Sequence, residues 1–187
     1  MKVVSGKYKG KKLLGPKKSK TRPVSNYVKE RLFDILRDCV DAKLVLDLYA
    51  GTGAIGIEAL SRGSKHVTFV ERNYSACNII KMNLSGIADE KNTKVIKEDV
   101  GKFVKRTKDV YDLIFSAPPY TKEYYIDFME KIDSSPFILE SDGKMIIESN
   151  KHCVEQIELE NFVKVRNIKC DDTILEIWIH KQNEETR

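Results

Sequence analysis

The sequence predicts an α/β fold: a mostly parallel sheet, covered by helices on both faces and closed by an antiparallel hairpin. Three observations carry this. From Lys43 onward, short apolar runs rich in β-branched residues ("LVLDLY", "HVTFVE", "TKVIKE", "DLIFSA", "KMIIES") alternate with helical stretches near 54–62, 73–87, 100–107 and 123–132. Two long alternating runs, "FVKVRNIKC" and "TILEIWIHK", meet at Asp171-Asp172 and read as a final hairpin. Between the first strand and the first crossover helix lies "GTGAIG", Gly51 to Gly56, a G-x-G-x-x-G turn that lets the backbone approach a ligand closely.

With 187 residues, 41% of them hydrophobic, the chain fills one core and is too short for two ordinary domains. No run approaches the roughly 18 apolar residues of a membrane span, and "MKVVSGKYKGKK" lacks an apolar stretch of signal-peptide length, so a soluble cytoplasmic protein is expected. Cys39, Cys77, Cys153 and Cys170 lie far apart with no C-x-x-C pair, so reduced thiols and no metal site are expected. His66, His152 and His180 read as partly solvated side chains on strand ends or loops.

The formal net charge of +5 hides an asymmetry: residues 1–40 carry 12 Lys+Arg against 3 Asp+Glu, and the first 22 hold nine bases and no acid. Lysines of this density also occur in solvated tails. Val3, Val4, Tyr8, Leu13 and Leu14, spaced around Gly6 and Gly10, add a strand-like pattern that such a tail has little use for. The expectation is therefore a small basic β-hairpin over 1–22, gripping phosphates through Lys7, Lys9, Lys11, Lys12 and Arg22, ahead of a main domain over 23–187. In "TRPVSNYVKERLFDILRDCV", Pro23 ends the arm and Ser25 is placed to cap a helix. Val28, Leu32, Ile35, Leu36 and Cys39 then form one apolar face.

In an open parallel sheet, ligands bind at the carboxyl ends of the strands. Glu71 ends the second strand 20 residues after Gly51, where a carboxylate accepts from ribose hydroxyls. A nucleoside-triphosphate loop would need Lys and Ser/Thr after its last glycine, but Ile57 and Glu58 follow Gly56. A dinucleotide fits poorly because Asp47, four residues before Gly51, would repel a pyrophosphate; the same carboxylate suits the cationic aminoacyl end of S-adenosylmethionine. Asp99, in "KEDV", stands where an adenine amine is recognised. A nicotinamide-dependent oxidoreductase rests on the glycine pattern alone and leaves the basic arm unexplained.

"VLDLYAGTGAIGIEALSRG", with "VTFVE", "KEDV" and a Pro-Pro-Tyr after the fourth strand, resembles the Rossmann-like, S-adenosylmethionine-dependent methyltransferases. "GKYKGKKL" and "TRPVSNYVKERLFDIL" resemble, more narrowly, the bacterial enzymes that methylate the 2-amino group of a guanine in 16S ribosomal RNA. The resemblance covers about residues 2–180. It implies a seven-stranded sheet ending in the hairpin, S-adenosylmethionine as cofactor, and a monomer acting on 16S rRNA within the 30S subunit or its assembly intermediate. Thr21 and Arg22, with Pro23, match an element that lies against the pocket in the family. Tyr49, Thr52, Gly53, Arg72 and Val100 complete the cofactor site alongside Asp47, Gly51, Glu71 and Asp99.

The fourth strand ends in Ala117-Pro118-Pro119-Tyr120, the expected catalytic corner. Prolines have a fixed φ and no N–H, so they hold the carbonyls of Ala117 and Pro118 toward the pocket, and Tyr120 offers a face on which a flipped base stacks. Hydrogen-bond acceptors aimed at an exocyclic amine free its lone pair for attack on the sulfonium methyl. The relatives read Asp or Asn where this chain has Ala117, so the side-chain acceptor is missing. Transfer is then expected to fall by about 10²–10³ with cofactor binding intact, as for a lost oxyanion-hole donor. The chain is thus an active enzyme or a weakened or inactive member that still binds rRNA and cofactor. Ser116 should point to the opposite face from Ala117. Adenine-amine methyltransferases share the glycine loop and Pro-Pro-Tyr; only the N-terminal half argues against them.

Overall fold

The computed structural model describes residues 1–15, 26–36, 40–41, 43–87, 91–150 and 157–183. Five crossover strands are present: β1 (Leu44–Leu48), β2 (His66–Glu71), β3 (Thr93–Lys97), β4 (Tyr111–Ser116) and β5 (Leu139–Asn150). The predicted terminal hairpin follows as β6 (Phe162–Cys170) and β7 (Thr173–His180). Together they form one mixed sheet in the order β3-β2-β1-β4-β5-β7-β6, in which β7 inserts antiparallel between β5 and β6. The chain runs outward from β1 through β2 to β3, then returns to place β4 and β5 on the other side of β1. The sheet therefore reverses direction between β1 and β4, where open α/β sheets hold their ligands.

Alternation along each strand sorts the side chains into two cores. Val45, Phe69, Phe115, Ile146 and Leu175 face one side, under helices α1 (Asn26–Leu36), α2 (Ala54–Ser61) and α3 (Tyr74–Leu84). Leu46, Leu48, Ile114, Ile147 and Trp178 face the other, under α4 (Val100–Arg106) and α5 (Lys122–Asp133). Helix starts are fixed by side-chain caps: Asn73 accepts from the Ala76 N–H, Asp99 from Lys102 and Thr121 from Tyr124. Gly56 in α2 is required by packing, since a Cβ there would overlap the Phe69 ring and Val67 on the sheet below.

Three readings need correction. Residues 1–15 form no pair of β-strands: a single antiparallel bridge joins Lys2 and Lys12, with Val3 and Leu13 donating across the segment to the Lys11 and Met1 carbonyls, and its turn docks on α2. The N–H groups of Val4 and Ser5 donate to the two oxygens of the Glu58 carboxylate, and that of Tyr8 to the Ser61 hydroxyl, while Val3 and Leu13 enter the first core. With the Val4, Ser5 and Tyr8 donors satisfied by α2, the pairing stops at one bridge. Second, β5 begins at Leu139, five residues before the run read from sequence, because Glu140, Ser141 and Asp142 conceal its period and its pairing with β4 shifts register between Tyr111 and Leu113. Third, His180 is buried rather than solvated, its ring nitrogen 3.0 Å from the Leu139 carbonyl oxygen and its face 4.7 Å from that of Phe162. Among the described residues no helix is long and apolar enough to cross a membrane.

Candidate active site

The carboxyl ends of β1, β2, β3 and β4 bring most of the sequence-predicted residues together. After Leu48 the chain turns through Tyr49 and Gly51, both at φ 56°, and Gly53 at φ 76°. Glycine carries this conformation without strain; Tyr49 adopts it under the constraint of its ring packing edge-on against Phe128, centroids 5.9 Å apart. The turn is tied at two points, by the Ala50 N–H to the Val70 carbonyl and by the Gly53 N–H to the Ala50 carbonyl.

Glu71 locks the loop from the end of β2. Its Oε2 accepts from the Gly51 N–H at 3.0 Å and its Oε1 from the Asn73 N–H at 2.8 Å. Asp47 acts from below: its Oδ2 accepts from the Gly56 N–H at 2.9 Å, pinning the first turn of α2. It is 4% exposed, and burial pushes its carboxyl up to about 8, against the opposing hydrogen bond from Gly56 and with a smaller push from Glu71. Tyr49 is likewise held well above the ordinary phenol value, first by burial and then by Asp99 and Asp127.

Asp99 is exposed at the start of α4, and Val100 is buried beneath it. Arg72 is exposed and close enough to Tyr49 to act on it electrostatically. The Thr52 carbonyl oxygen accepts from Asn83 Nδ2 at 3.0 Å, and the same buried amide holds Leu14 through both its N–H and its C=O. Asn83 thus joins the N-terminal segment to the glycine loop, a link that the sequence pattern did not reveal. Thr21, Arg22 and Pro23 lie outside the described residues. Of the lysines expected to meet RNA, Lys7, Lys9 and Lys12 are exposed, whereas Lys11 is half-buried and donates to the Ser85 carbonyl at 2.8 Å.

The Pro-Pro-Tyr corner follows β4 directly. Ala117 is half-buried, Pro118 buried, and Pro119 and Tyr120 exposed; the Pro119 carbonyl accepts from the Thr121 N–H and turns the chain into α5. Tyr120 donates its hydroxyl to Glu148 Oε1 at 2.6 Å. Glu148, near the end of β5, was not among the residues singled out from sequence, although it ends "KMIIES" at the ligand-binding edge of the sheet. A small cavity of about 20 Å³ lies among Asp47, Phe115, Ala117, Ile146 and Glu148, room for roughly one water molecule. Ser116 pairs in register with Leu48 and Ile147, whose side chains enter the second core, and its hydroxyl is buried with no hydrogen-bond partner among the described residues. A wider hollow of about 540 Å³ near Glu130, Asp133, Glu158 and Glu160 lies away from the strand ends, and its acids disfavour a phosphate-bearing ligand.

The donor set at the strand ends is acidic: Asp47, Glu71 and Asp99. Such a set accepts from hydroxyls and amines and repels phosphate, and among the described residues a Cβ on Gly51 would meet only the Tyr49 carbonyl, at 3.8 Å. An adenosyl ligand with a cationic tail and no phosphate fits these residues.

The comparisons with known proteins agree with this geometry. The family profile described as "Conserved hypothetical protein 95" matches residues 1–179. YlbH of Bacillus subtilis, provisionally named as an rRNA methyltransferase, is 34% identical over 154 residues, covering 81% of this chain and 83% of YlbH. The Ribosomal RNA small subunit methyltransferase D of Haemophilus influenzae is 32% identical over 123 residues; the match covers 64% of each chain, just under two thirds of that protein's length. The solved structure of the Escherichia coli protein yhhF, provisionally named as a methyltransferase, superimposes with a TM-score of 0.84 over 96% of this chain and 97% of that one, at 22% identity, a likeness of fold.

Proposed function

This chain belongs to the conserved hypothetical protein 95 family of Rossmann-like, S-adenosylmethionine-dependent methyltransferases, and from that premise we propose that it methylates the exocyclic 2-amino group of a guanine in 16S ribosomal RNA, within the 30S subunit or an assembly intermediate. The observation that carries the reading is the juxtaposition across β1 and β4: a glycine loop tied to Glu71 on one side of the sheet reversal, a Pro-Pro-Tyr corner on the other.

When bound, S-adenosylmethionine supplies a methyl group on a positively charged sulfur. The chain's own residues divide the remaining work. Glu71 accepts from the ribose hydroxyls while keeping the loop closed, Asp99 faces the adenine, and Asp47 receives the aminoacyl end. Tyr49, Thr52, Gly53, Arg72 and Val100 wall the same site. The Ala117 and Pro118 carbonyls face the target amine, and Tyr120 stacks on the flipped base, worth roughly 1–3 kcal/mol. Lys7, Lys9 and Lys12 grip phosphates from the docked N-terminal segment, with Lys11 on the same segment.

Ala117 favours a second reading, a family member that binds cofactor and rRNA but transfers slowly or not at all. Calorimetric titration with S-adenosylhomocysteine, followed by radiolabelled methyl transfer to 30S particles lacking the modification, separates the two. Binding with measurable transfer is the expected result. Binding without transfer to guanine supports the second reading, and no binding removes both.

A further inference from the structure

From Arg72 to Ile87, a stretch that includes all of α3, the chain holds no acid. Tyr74, Asn78 and Lys81 fall at spacings of four and three along this helix, and Ser85, its C-cap, continues the row four residues on, so the four share one side. Cys77, Ile80, Asn83 and Leu84 are turned into the protein instead. Tyr74 opens the row and is 66% exposed. The Lys97 ammonium, from the end of β3, lies 5.6 Å from its ring centroid. Lys81 and Lys97 are both exposed, and both are close enough to the Cys77 thiol to act on it electrostatically. Among the described residues neither ammonium forms an ion pair with a carboxylate, and Glu98, next to Lys97 in sequence, is engaged by Arg106.

Both ends of the row lead to groups already given a task. At its start, the Asn73 N–H donates to Glu71, the carboxylate that locks the glycine loop, so Tyr74 stands at the rim of the cofactor site. At its end, the Lys11 ammonium donates to the Ser85 carbonyl at 2.8 Å and fastens the N-terminal segment, with its exposed Lys7, Lys9 and Lys12, to the C-terminus of α3. The 11 residues of the helix span about 16 Å, a length that a short run of nucleotides covers. An exposed ring beside a cation, with lysines in line and no acid between, matches a single strand of nucleic acid: cations meet phosphates and a base of any sequence stacks on the ring. An acidic protein surface would satisfy the lysines alone, whereas a nucleic acid also uses the ring.

Building on the proposed rRNA substrate, we infer that this face of α3 is a second RNA-binding surface, along which a single-stranded segment beside the target runs from the N-terminal lysines past Lys81 to Lys97, with one base stacked on Tyr74. The segment 1–15 holds the strand at one end of the helix. Tyr74 holds it at the other, on the carboxyl edge of the sheet that also carries the Pro-Pro-Tyr corner.

The test measures binding of the full chain to a 16S rRNA transcript at several salt concentrations, so it is independent of whether Ala117 permits transfer. Tyr74→Ala should weaken binding by about 5–150-fold without altering the slope against salt, and Tyr74→Phe, which keeps the ring, should stay within about twofold of wild type. The double variant Lys81→Gln/Lys97→Gln should shrink the slope of log affinity against log salt by about 1.5. All three side chains are exposed, so S-adenosylhomocysteine affinity and unfolding midpoint should match wild type in every variant. Replacement of Lys7, Lys9 and Lys12 with Gln is the control. If the control lowers the slope while Tyr74→Ala and the double variant bind as wild type does, the strand does not follow α3: the inference falls and the rRNA reading stands. If the wild type shows no salt-dependent binding to the transcript, the rRNA reading falls and takes the inference with it. A matching loss of S-adenosylhomocysteine affinity in Tyr74→Ala would assign the ring to the cofactor and also overturn its RNA role.

Discussion

Asp47 offers the sharpest test of the cofactor site, because its burial makes a claim about stability as well as binding. Its carboxyl titrates near 8 in the folded chain against 3.8 ordinarily, a difference of about four units. At about 1.4 kcal/mol per unit, ionising it in place costs on the order of 5 kcal/mol. The sign follows from the direction of the shift. The folded state keeps a proton that the unfolded chain releases above pH 4, so the stability conferred by that proton is whole below pH 4 and is lost progressively as pH rises to about 8. For a domain stable by about 5–15 kcal/mol, that is a large share. Asp47→Asn has no proton to lose, and its side-chain oxygen can still accept from the Gly56 N–H. Denaturant unfolding of both proteins between pH 4 and 9 should show the wild type losing several kcal/mol relative to the variant. The cofactor arm of the test runs the other way. A cationic aminoacyl group needs the ionised carboxylate, so S-adenosylhomocysteine affinity should rise with pH toward 8 in the wild type, while the variant binds weakly and without this slope. Parallel stability curves for the two proteins would refute the argument from burial.

Other expectations follow from the same structure. Glu58 is fully buried, holds the Val4 and Ser5 N–H groups, and stands 3.7 Å from the equally buried Lys29 ammonium, whose own pKa burial lowers; Glu58→Ala should cost about 3–5 kcal/mol in denaturant unfolding and expose residues 1–15 to protease. Gly56→Ala forces a methyl group into the Phe69 ring and should cost about 1–3 kcal/mol, part of it recovered by adding Phe69→Leu. Replacing Lys7, Lys9 and Lys12 together with Gln should shrink the slope of log RNA affinity against log salt by roughly two, with S-adenosylhomocysteine affinity untouched; an unchanged slope would take the N-terminal segment out of the RNA interface.

The elements legible in the sequence are those whose signal is periodic and local. Apolar alternation from Leu44 to His180 gave the strands, and the crossover helices followed from the spacing between them, because side-chain period is set by the strand or helix itself. The glycine loop was legible for a similar reason: Gly51 and Gly53 adopt backbone angles that few other residues tolerate. The segment 1–15 was read as a free β-hairpin because its pattern of apolar residues and glycines is that of one, while Glu58 and Ser61, which take up the Val4, Ser5 and Tyr8 donors, lie over 50 residues away. Asn83, which ties Leu14 to Thr52, was invisible on the same ground: a lone amide within a helix carries no periodic mark of the distant groups it joins.

The case of Ala117 shows what a motif read along one strand leaves out. A sheet presents its ligand with a row of positions across strands, and the residues that share a row are those in register, not those adjacent in sequence. Along β4, Ala117 breaks the motif and Ser116 points to the other side. Across the sheet, Asp47 on β1 stands opposite Phe115, and Ala117 on β4 comes level with Glu148 on β5, so this face carries one carboxylate two residues before the Pro-Pro-Tyr corner and another beside its start. Asp47 is bound to the Gly56 N–H and favours its protonated form, so it can pair with a cation only by giving up that proton. Glu148 accepts from the Tyr120 phenol of the Pro-Pro-Tyr corner. The two carboxylates thus differ in what holds them, a backbone N–H of α2 for one and a phenol of the corner for the other, although both line the same small cavity; that contrast is set by register across strands and is invisible along any one of them.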